Sequence, residues 1–309
     1  MSNWQSLHSE GYSRASAGDI EAAERFLKQA IEAAEATGAS AEVANSKNCL
    51  AVVYKQDGRV DEARRLFEEV IDLAPASGDH GSAYSGLAEL LCENGDYEGA
   101  LNLFDRAVDN FNEYECGLDL HFAECSLLRL IPLLPGRVQE RKLLDAEAEE
   151  IRDEADEGLK VLNLTEASSP EKVIAEIDHY IDLAQDEILD HPEKQDFYHS
   201  NGEALAFLWG LQLESKFGWQ WLYIRLGRSE VLAIASPDRS QVVYPMHFLC
   251  ECLEDPELDC TIQLAFELLL DEDSAECAPG EYENIMESVF RIVPKQGRTR
   301  SLAAARLPE

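Results

Sequence analysis

The chain has 309 residues, of which 45% are hydrophobic, and its formal net charge is −35 at pH 7. This hydrophobic fraction is too high for an intrinsically disordered chain, and the length predicts two domains with a sizeable core. A surface this negative repels nucleic-acid phosphates and anionic lipid, so we expect neither as a partner. The acidity could attract a basic protein or simply keep the chain soluble, and composition alone favours solubility.

The first residues, MSNWQSLHSEGYS, lack the charged and apolar segments of a signal peptide. No uninterrupted apolar run approaches the ~20 residues that span a bilayer. The eight cysteines form no CxxC pair, and several occur in apolar helix patterns, where a free thiol behaves as a small hydrophobic side chain. We therefore expect a cytoplasmic protein.

Three segments of the first half repeat one pattern. They read GDIEAAERFLKQAI from residue 18, GRVDEARRLFEEVI from residue 58 and GDYEGALNLFDRAV from residue 95. The apolar positions that match between the copies are Ala23, Ala63 and Ala100, then Leu27, Phe67 and Phe104, then Ala30, Val70 and Ala107. Helical spacing places each set on one face, and the small residues allow a second helix to approach closely.

The copies are spaced 40 and then 37 residues apart, which is typical of stacked helical hairpins. They resemble tetratricopeptide repeats, with small residues at Gly11, Ala51 and Ala88 in the preceding helices and Pro75 closing the second copy. The resemblance implies a curved stack whose concave surface is lined by the first helix of each pair. We expect one or two divergent hairpins over residues 112–162, which gives a repeat domain over residues 1–163.

Two features depart from the family pattern. The spacing exceeds the family's usual ~34 residues, so the helices or their joints are longer. Arg14 stands where the second copy has Tyr54, which makes the first copy atypical, as terminal repeats often are.

The resemblance also implies a groove that binds a protein or peptide partner. The positions transferred by alignment are Gln5, His8, Tyr12, Asn45, Asn48, Lys55, Ser82, Ser85 and Glu89. Asn45 and Asn48 favour binding over the alternative of ordinary solvated residues, because Asn is a poor helix former and a good partner for peptide backbone. Family members that bind a C-terminal carboxylate use several cationic groove residues. Only Lys55 and Lys47 are available here, so we do not expect that mode.

A second domain is predicted over residues 164–309. Ser169 and Pro170 indicate a helix start, and isoleucines follow at helical spacing up to the His-Pro pair at 191–192. After a second helix over about 201–216, the period becomes two: WQWLYIRL, EVLAIAS and QVVYP predict a three-stranded antiparallel meander. Two or three helices follow. The fold class is therefore an α-helical repeat solenoid followed by a small α+β domain, and this half resembles uncharacterised bacterial domains without implying an activity.

The sequence contains no Gly-rich phosphate loop, HExxH or GxSxG motif, so we expect neither an enzyme nor a cofactor. Two groups resemble metal ligands: His247, Cys250, Cys252 and Cys260, and then His179, Asp182, Asp186 and Asp190. We favour buried thiols for the first group, because structural zinc normally uses two close ligand pairs. We favour a solvated helix face for the second group.

Two further features of this half leave alternatives open. Trp219, Trp221 and Tyr223 alternate on one strand and share a face, which we expect in the core rather than in a partner-binding patch. The basic residues near the C-terminus are Arg291, Lys295, Arg298, Arg300 and Arg306. This basic tail is either drawn onto the acidic protein or simply solvated.

The preferred function is a non-catalytic adaptor or accessory protein that binds its partner through the repeat groove. One alternative is an acidic inhibitor of a basic toxin or nuclease, acting through carboxylates such as those of Glu149, Asp153 and Glu157. Another is an enzyme in the second domain. The residues that support it are His179, His191, His199 and Glu203, which lie around one helix junction.

Overall fold

The computed structural model describes residues 3–73, 77–256, 258–270 and 277–292. The chain divides into two compact units, residues 1–137 with 226–229 and residues 138–225 with 230–309. The first unit contains the repeats and the second contains a β-sheet. None of the helices in these described ranges combines the length and apolar character that a bilayer crossing requires.

The first unit is an array of helices in which each packs against the next. Their bounds are α1 Asn3–Ser16, α2 Ile20–Thr37, α3 Ser40–Gln56, α4 Val60–Ile71, α5 Gly78–Glu93, α6 Tyr97–Glu113 and α7 Gly117–Leu128. This array confirms the predicted helical-repeat fold class. Pro75, which was expected to close the second copy, lies outside the described residues.

Left-handed glycines make the tight turn inside each repeat. Gly18, Gly58 and Gly95 have φ values of 73°, 75° and 77°, a region that side chains with a Cβ rarely adopt. In two copies the next residue begins the second helix, because Asp19 accepts a hydrogen bond from Ala22 N and Asp96 accepts one from Gly99 N. The Gly-Asp pairs of the sequence therefore encode both the turn and the N-cap.

The nine matching apolar positions of α2, α4 and α6 are all fully buried. Neighbouring repeats pack closely at Gly86 of α5, where an added Cβ would lie 2.3 Å from the Phe67 ring of α4. A glycine is required there because the buried ring occupies the space of a side chain.

The second unit contains the remaining helices and the strands of a mixed sheet. Its helices are α8 Asp145–Val161, α9 Pro170–Asp190, α10 Gln195–Phe217, α11 Pro245–Glu254, α12 Ile262–Leu270 and α13 Ile285–Ile292. Its strands are β1 Gln139–Lys142, β2 Gln220–Leu226, β3 Ser229–Ala235, β4 Gln241–Val243 and β5 Glu283–Asn284. The predicted α+β class is confirmed.

The sheet has the order β1-β2-β3-β4-β5, so the predicted three-stranded meander forms its centre. Strands β1 and β2 pair antiparallel, as do β3 and β4, whereas β4 and β5 are parallel. The edge strand β1 has the sequence QERK, which carries no alternation of apolar residues and was not predicted. Its Arg141 lies over the Tyr223 ring at 4.0 Å and forms an ion pair with Glu147.

The aromatic residues of the β2 region do not form one uniformly buried face. Trp219 is buried, but Trp221 and Tyr223 are half-buried, and the strand's most buried positions are the alternate residues Leu222 and Ile224. Trp221 fits against Gly210 of α10, where an added Cβ would lie 2.0 Å from its ring. The expected core role is therefore only partly observed.

Helix α8, which the sequence assigned to the repeat stack, packs against α10 in the second unit. Gly158 permits this approach, since a Cβ there would lie 2.7 Å from the carbonyl oxygen of Ala204. Ile151 and Ala155 of α8 are buried in the second unit's core. The domain boundary at 163/164 stays a prediction, and this packing favours a boundary near Arg137.

We expect Gly86→Ala to lower the free energy of unfolding by about 1–2 kcal/mol, because overpacking outweighs the helix propensity that alanine gains. Gly136→Ala is the matched control, since the space around that glycine is open. Chemical denaturation of the full chain measures both variants. Equal stability of Gly86→Ala and Gly136→Ala would show that the Phe67 contact does not constrain the stack.

We expect a fragment of residues 138–309 to unfold cooperatively and a fragment of residues 164–309 to be less stable. The shorter fragment lacks α8, so it exposes apolar surface of α10 that includes Leu208. Thermal unfolding and binding of a hydrophobic dye compare the two fragments. Equal melting temperatures and equal dye binding would support the boundary at 163/164 instead.

Candidate partner-binding groove

Two adjoining clefts lie on the first unit and are lined mainly by residues of α1, α3, α5 and α7. The first cleft has a volume of about 600 Å³ and is lined by residues that include Tyr12, Asn45, Asn48, Val52, Asp79 and Ser82. The second has a volume of about 340 Å³ and is lined by residues that include Lys55, Ser85 and Glu89. Both are lined by Val52, Gln56 and Ser82, so they form one continuous surface, here called the groove.

The structure places most of the predicted groove residues on this surface. Those that line one cleft or both are Tyr12, Asn45, Asn48, Lys55, Ser82, Ser85 and Glu89. Gln5 and His8 line neither cleft, although both belong to α1. The predicted positions of α3 and α5 thus lie along the clefts, whereas only Tyr12 of the three predicted α1 positions does, and their role in partner binding stays a prediction.

The two asparagines of α3 are held by the start of α5. Asn48 Nδ2 donates to the carbonyl oxygen of Asp79 at 2.8 Å, and Asn45 Nδ2 donates to Asp79 Oδ1 at 3.3 Å. Because its nitrogen must face a carbonyl, the amide orientation of Asn48 is fixed. Its Oδ1 atom is buried and has no hydrogen-bond partner among the described residues, while the whole residue is 8% exposed. Asn48 therefore connects α3 to the start of α5.

Lys55, which lines the second cleft, and Lys47, which lines neither cleft, are both paired with carboxylates. Lys55 forms an ion pair with Glu89, and Lys47 forms one with Glu69 at 2.7 Å. Lys55 and Glu89 are both residues that the sequence assigned to partner binding. Because these two side chains form an ion pair with each other, a partner would meet a paired charge at this position rather than an isolated cation or anion.

His8 packs between helices rather than facing a cleft. Its ring stacks on Trp4 with centroids 5.3 Å apart, and its Nδ1 lies 3.1 Å from the Oγ of the buried Ser46, which also accepts a hydrogen bond from Trp4 Nε1. Burial lowers the pKa of His8 from its ordinary value, and the nearby Asp79 opposes this only in part. His8 is therefore neutral at pH 7 and helps to hold α1 on α3.

The sequence analysis missed several of the residues that line the clefts, among them Val52 and Asp79. Val52 is 46% exposed and lines both clefts, and Asp79 lines the first cleft. The repeat spacing aligns Val52 with Tyr12 and Glu89, so the alignment itself could have identified it. Asp79 precedes Ser82 by three residues and shares its helix face, which is the signal that could have identified it.

The residues that the sequence proposed for an active site in the second unit are mostly exposed. His179, His191 and Glu203 are exposed and His199 is half-buried, and none of the four lines the clefts described above. Within the described ranges, no three His, Cys, Asp or Glu side chains are arranged to hold a metal ion.

Cys252 and Cys260, from the first group of possible metal ligands, are buried free thiols. From the basic tail, Lys295, Arg298, Arg300 and Arg306 lie outside the described residues, as does the side chain of Arg291.

Residues 42–113 match the tetratricopeptide repeat family model. This match covers α3 to α6 and supports the assignment of tetratricopeptide repeats to the N-terminal half, as the sequence predicted. Such repeats are generally protein-interaction modules. No curated protein matches the chain.

We expect the His8→Gln variant to lose part of the pH dependence of stability. Because the folded pKa of His8 lies below its unfolded value of 6.5, the unfolded state binds protons more readily and stability falls as the pH drops below about 6.5. Denaturation of the wild type and the variant between about pH 7.5 and 5.5 measures this slope. Identical slopes would show that burial of His8 does not affect its protonation.

Proposed function

We propose that this chain is a cytoplasmic adaptor or accessory protein that binds a protein or peptide partner through the groove of its tetratricopeptide repeats. The observation that carries the proposal is the continuous pair of clefts along α3 and α5, lined by both polar and apolar side chains.

The apolar part of the groove also supports a macromolecular partner. Val52 is exposed and lines both clefts, and Tyr12 is exposed and lines the first. A peptide that covers these side chains removes apolar surface from water. An extended segment fits this shape better than a compact small molecule does, because the two clefts are open and continuous.

The charge of the chain argues for a protein rather than a nucleic acid or membrane partner. A net charge of −35 opposes approach to phosphates and anionic lipid. The described cysteines outside the second unit, Cys49, Cys92 and Cys116, form no disulfide among the described residues, which suits a reducing compartment.

Selection from a random peptide library on the full chain tests the proposal. We expect the wild type to enrich peptides and Ser82→Tyr to lose them, because Ser82 lines both clefts and a tyrosine would fill the space between them. Asn102→Tyr is the matched control, as it places the same side chain at an exposed position of α6 outside the groove. Circular dichroism checks that both variants fold.

Two outcomes would overturn the proposal. One is enrichment of no peptide by the wild type. The other is equal retention of the selected peptides by the folded Ser82→Tyr variant, which would place binding elsewhere on the chain.

A further inference from the structure

Asp79 gives the first cleft a negative charge without a cationic partner. Its Oδ1 accepts a hydrogen bond from Asn45 at 3.3 Å and its Oδ2 accepts one from Ser77 at 3.2 Å, and both donors are neutral. Within the described part of the chain, no Lys or Arg lies at ion-pair distance from Asp79. The N-terminus of α5 compensates only a fraction of a unit charge, and each carboxylate oxygen keeps an unused lone pair.

The charge of Asp79 is not neutralised by Lys47, Lys55 or His8. Lys47 and Lys55 are each engaged by a glutamate, and His8 is neutral at pH 7 because burial lowers its pKa. The charge of Asp79 also affects the pKa of Cys49, which lines the same cleft. Burial raises the pKa of this thiol to about 11, and Asp79 adds to that rise.

An exposed aromatic ring and an exposed aliphatic side chain line the same cleft. Tyr12 is 61% exposed and Val52 is 46% exposed, and both line the first cleft with Asp79. Lysine and arginine lay their aliphatic stems on apolar surface while the charged group meets a carboxylate or the face of a ring. Tyr12, Val52 and Asp79 together present these three elements.

We infer that the first cleft selects a segment in which a lysine or arginine lies next to an apolar residue. The cation meets Asp79 and the Tyr12 ring, and the apolar neighbour covers Val52. An acidic segment is repelled by Asp79. This inference rests on the proposed function and narrows it to a basic and apolar partner sequence.

Synthetic peptides test the selectivity directly. The probe is an eight-residue peptide with two Lys-Leu pairs between Gly and Ser residues, acetylated and amidated so that it has no terminal charge. Matched peptides replace both lysines by glutamine or by glutamate. We expect the full chain to bind the lysine peptide about tenfold more tightly than the glutamine peptide and to bind the glutamate peptide most weakly.

Variants assign this preference to the first cleft. Asp79→Asn should weaken the lysine peptide about tenfold at about 50 mM salt, with a smaller effect at about 500 mM. Asp61→Asn, at an exposed position of α4, is the matched removal of one charge and should change the affinity by less than about twofold.

Tyr12→Ala should weaken the lysine peptide a few fold while Tyr12→Phe retains its affinity. Because Tyr12 is exposed, this pair keeps the test valid if Asp79→Asn fails to fold.

The failures of the two proposals are distinguishable. If Ser82→Tyr abolishes binding but the glutamine peptide binds as well as the lysine peptide, the groove binds peptides and the cationic preference is wrong. If Asp61→Asn weakens the lysine peptide as much as Asp79→Asn does, the attraction belongs to the whole acidic surface and the inference is overturned. If no peptide binds the wild type, both proposals are overturned.

Discussion

The close approach of neighbouring repeats is the constraint on which the groove depends. At Gly86 the backbone of α5 lies against the buried Phe67 ring of α4, and an added Cβ would lie 2.3 Å from that ring. The buried apolar residues of α2, α4 and α6 account for most of the repeat signature. Because the apolar residues of α2, α4 and α6 are buried in the packing between helices, the groove is lined mainly by residues of α3 and α5, such as Asn48, Val52 and Ser82.

Ion pairing then determines which charged groups of the groove are available to a partner. The chain has an excess of carboxylates, and Lys55, which lines the second cleft, forms an ion pair with Glu89. The carboxylate that remains in the first cleft, that of Asp79, receives only neutral hydrogen bonds. A groove of this kind differs from one built to bind a C-terminal carboxylate, which requires cations that are free to meet the ligand. The overall acidity and the local charge of the cleft act in the same direction.

The fold was largely predictable, because its determinants recur locally in the sequence. The turn at Gly58 and the buried Phe67 repeat in register, and Ser169 marks the start of α9 by an ordinary capping rule. The rest depends on contacts between distant residues. The placement of His8 requires Ser46, 38 residues away, and neither side chain signals the other in sequence.

For the same reason, β1 could not be predicted, since its QERK sequence gains strand structure only by pairing with β2. Asp79 could have been predicted from helical spacing and Val52 from repeat alignment.

Methyl NMR of the full chain with the lysine peptide tests the central claim most directly. The account predicts shifts at Val52 and Val53, which line the first cleft, and none at the buried Val70 of α4 or at Val231 of the second unit. Shifts confined to Val231 and its neighbours would contradict it.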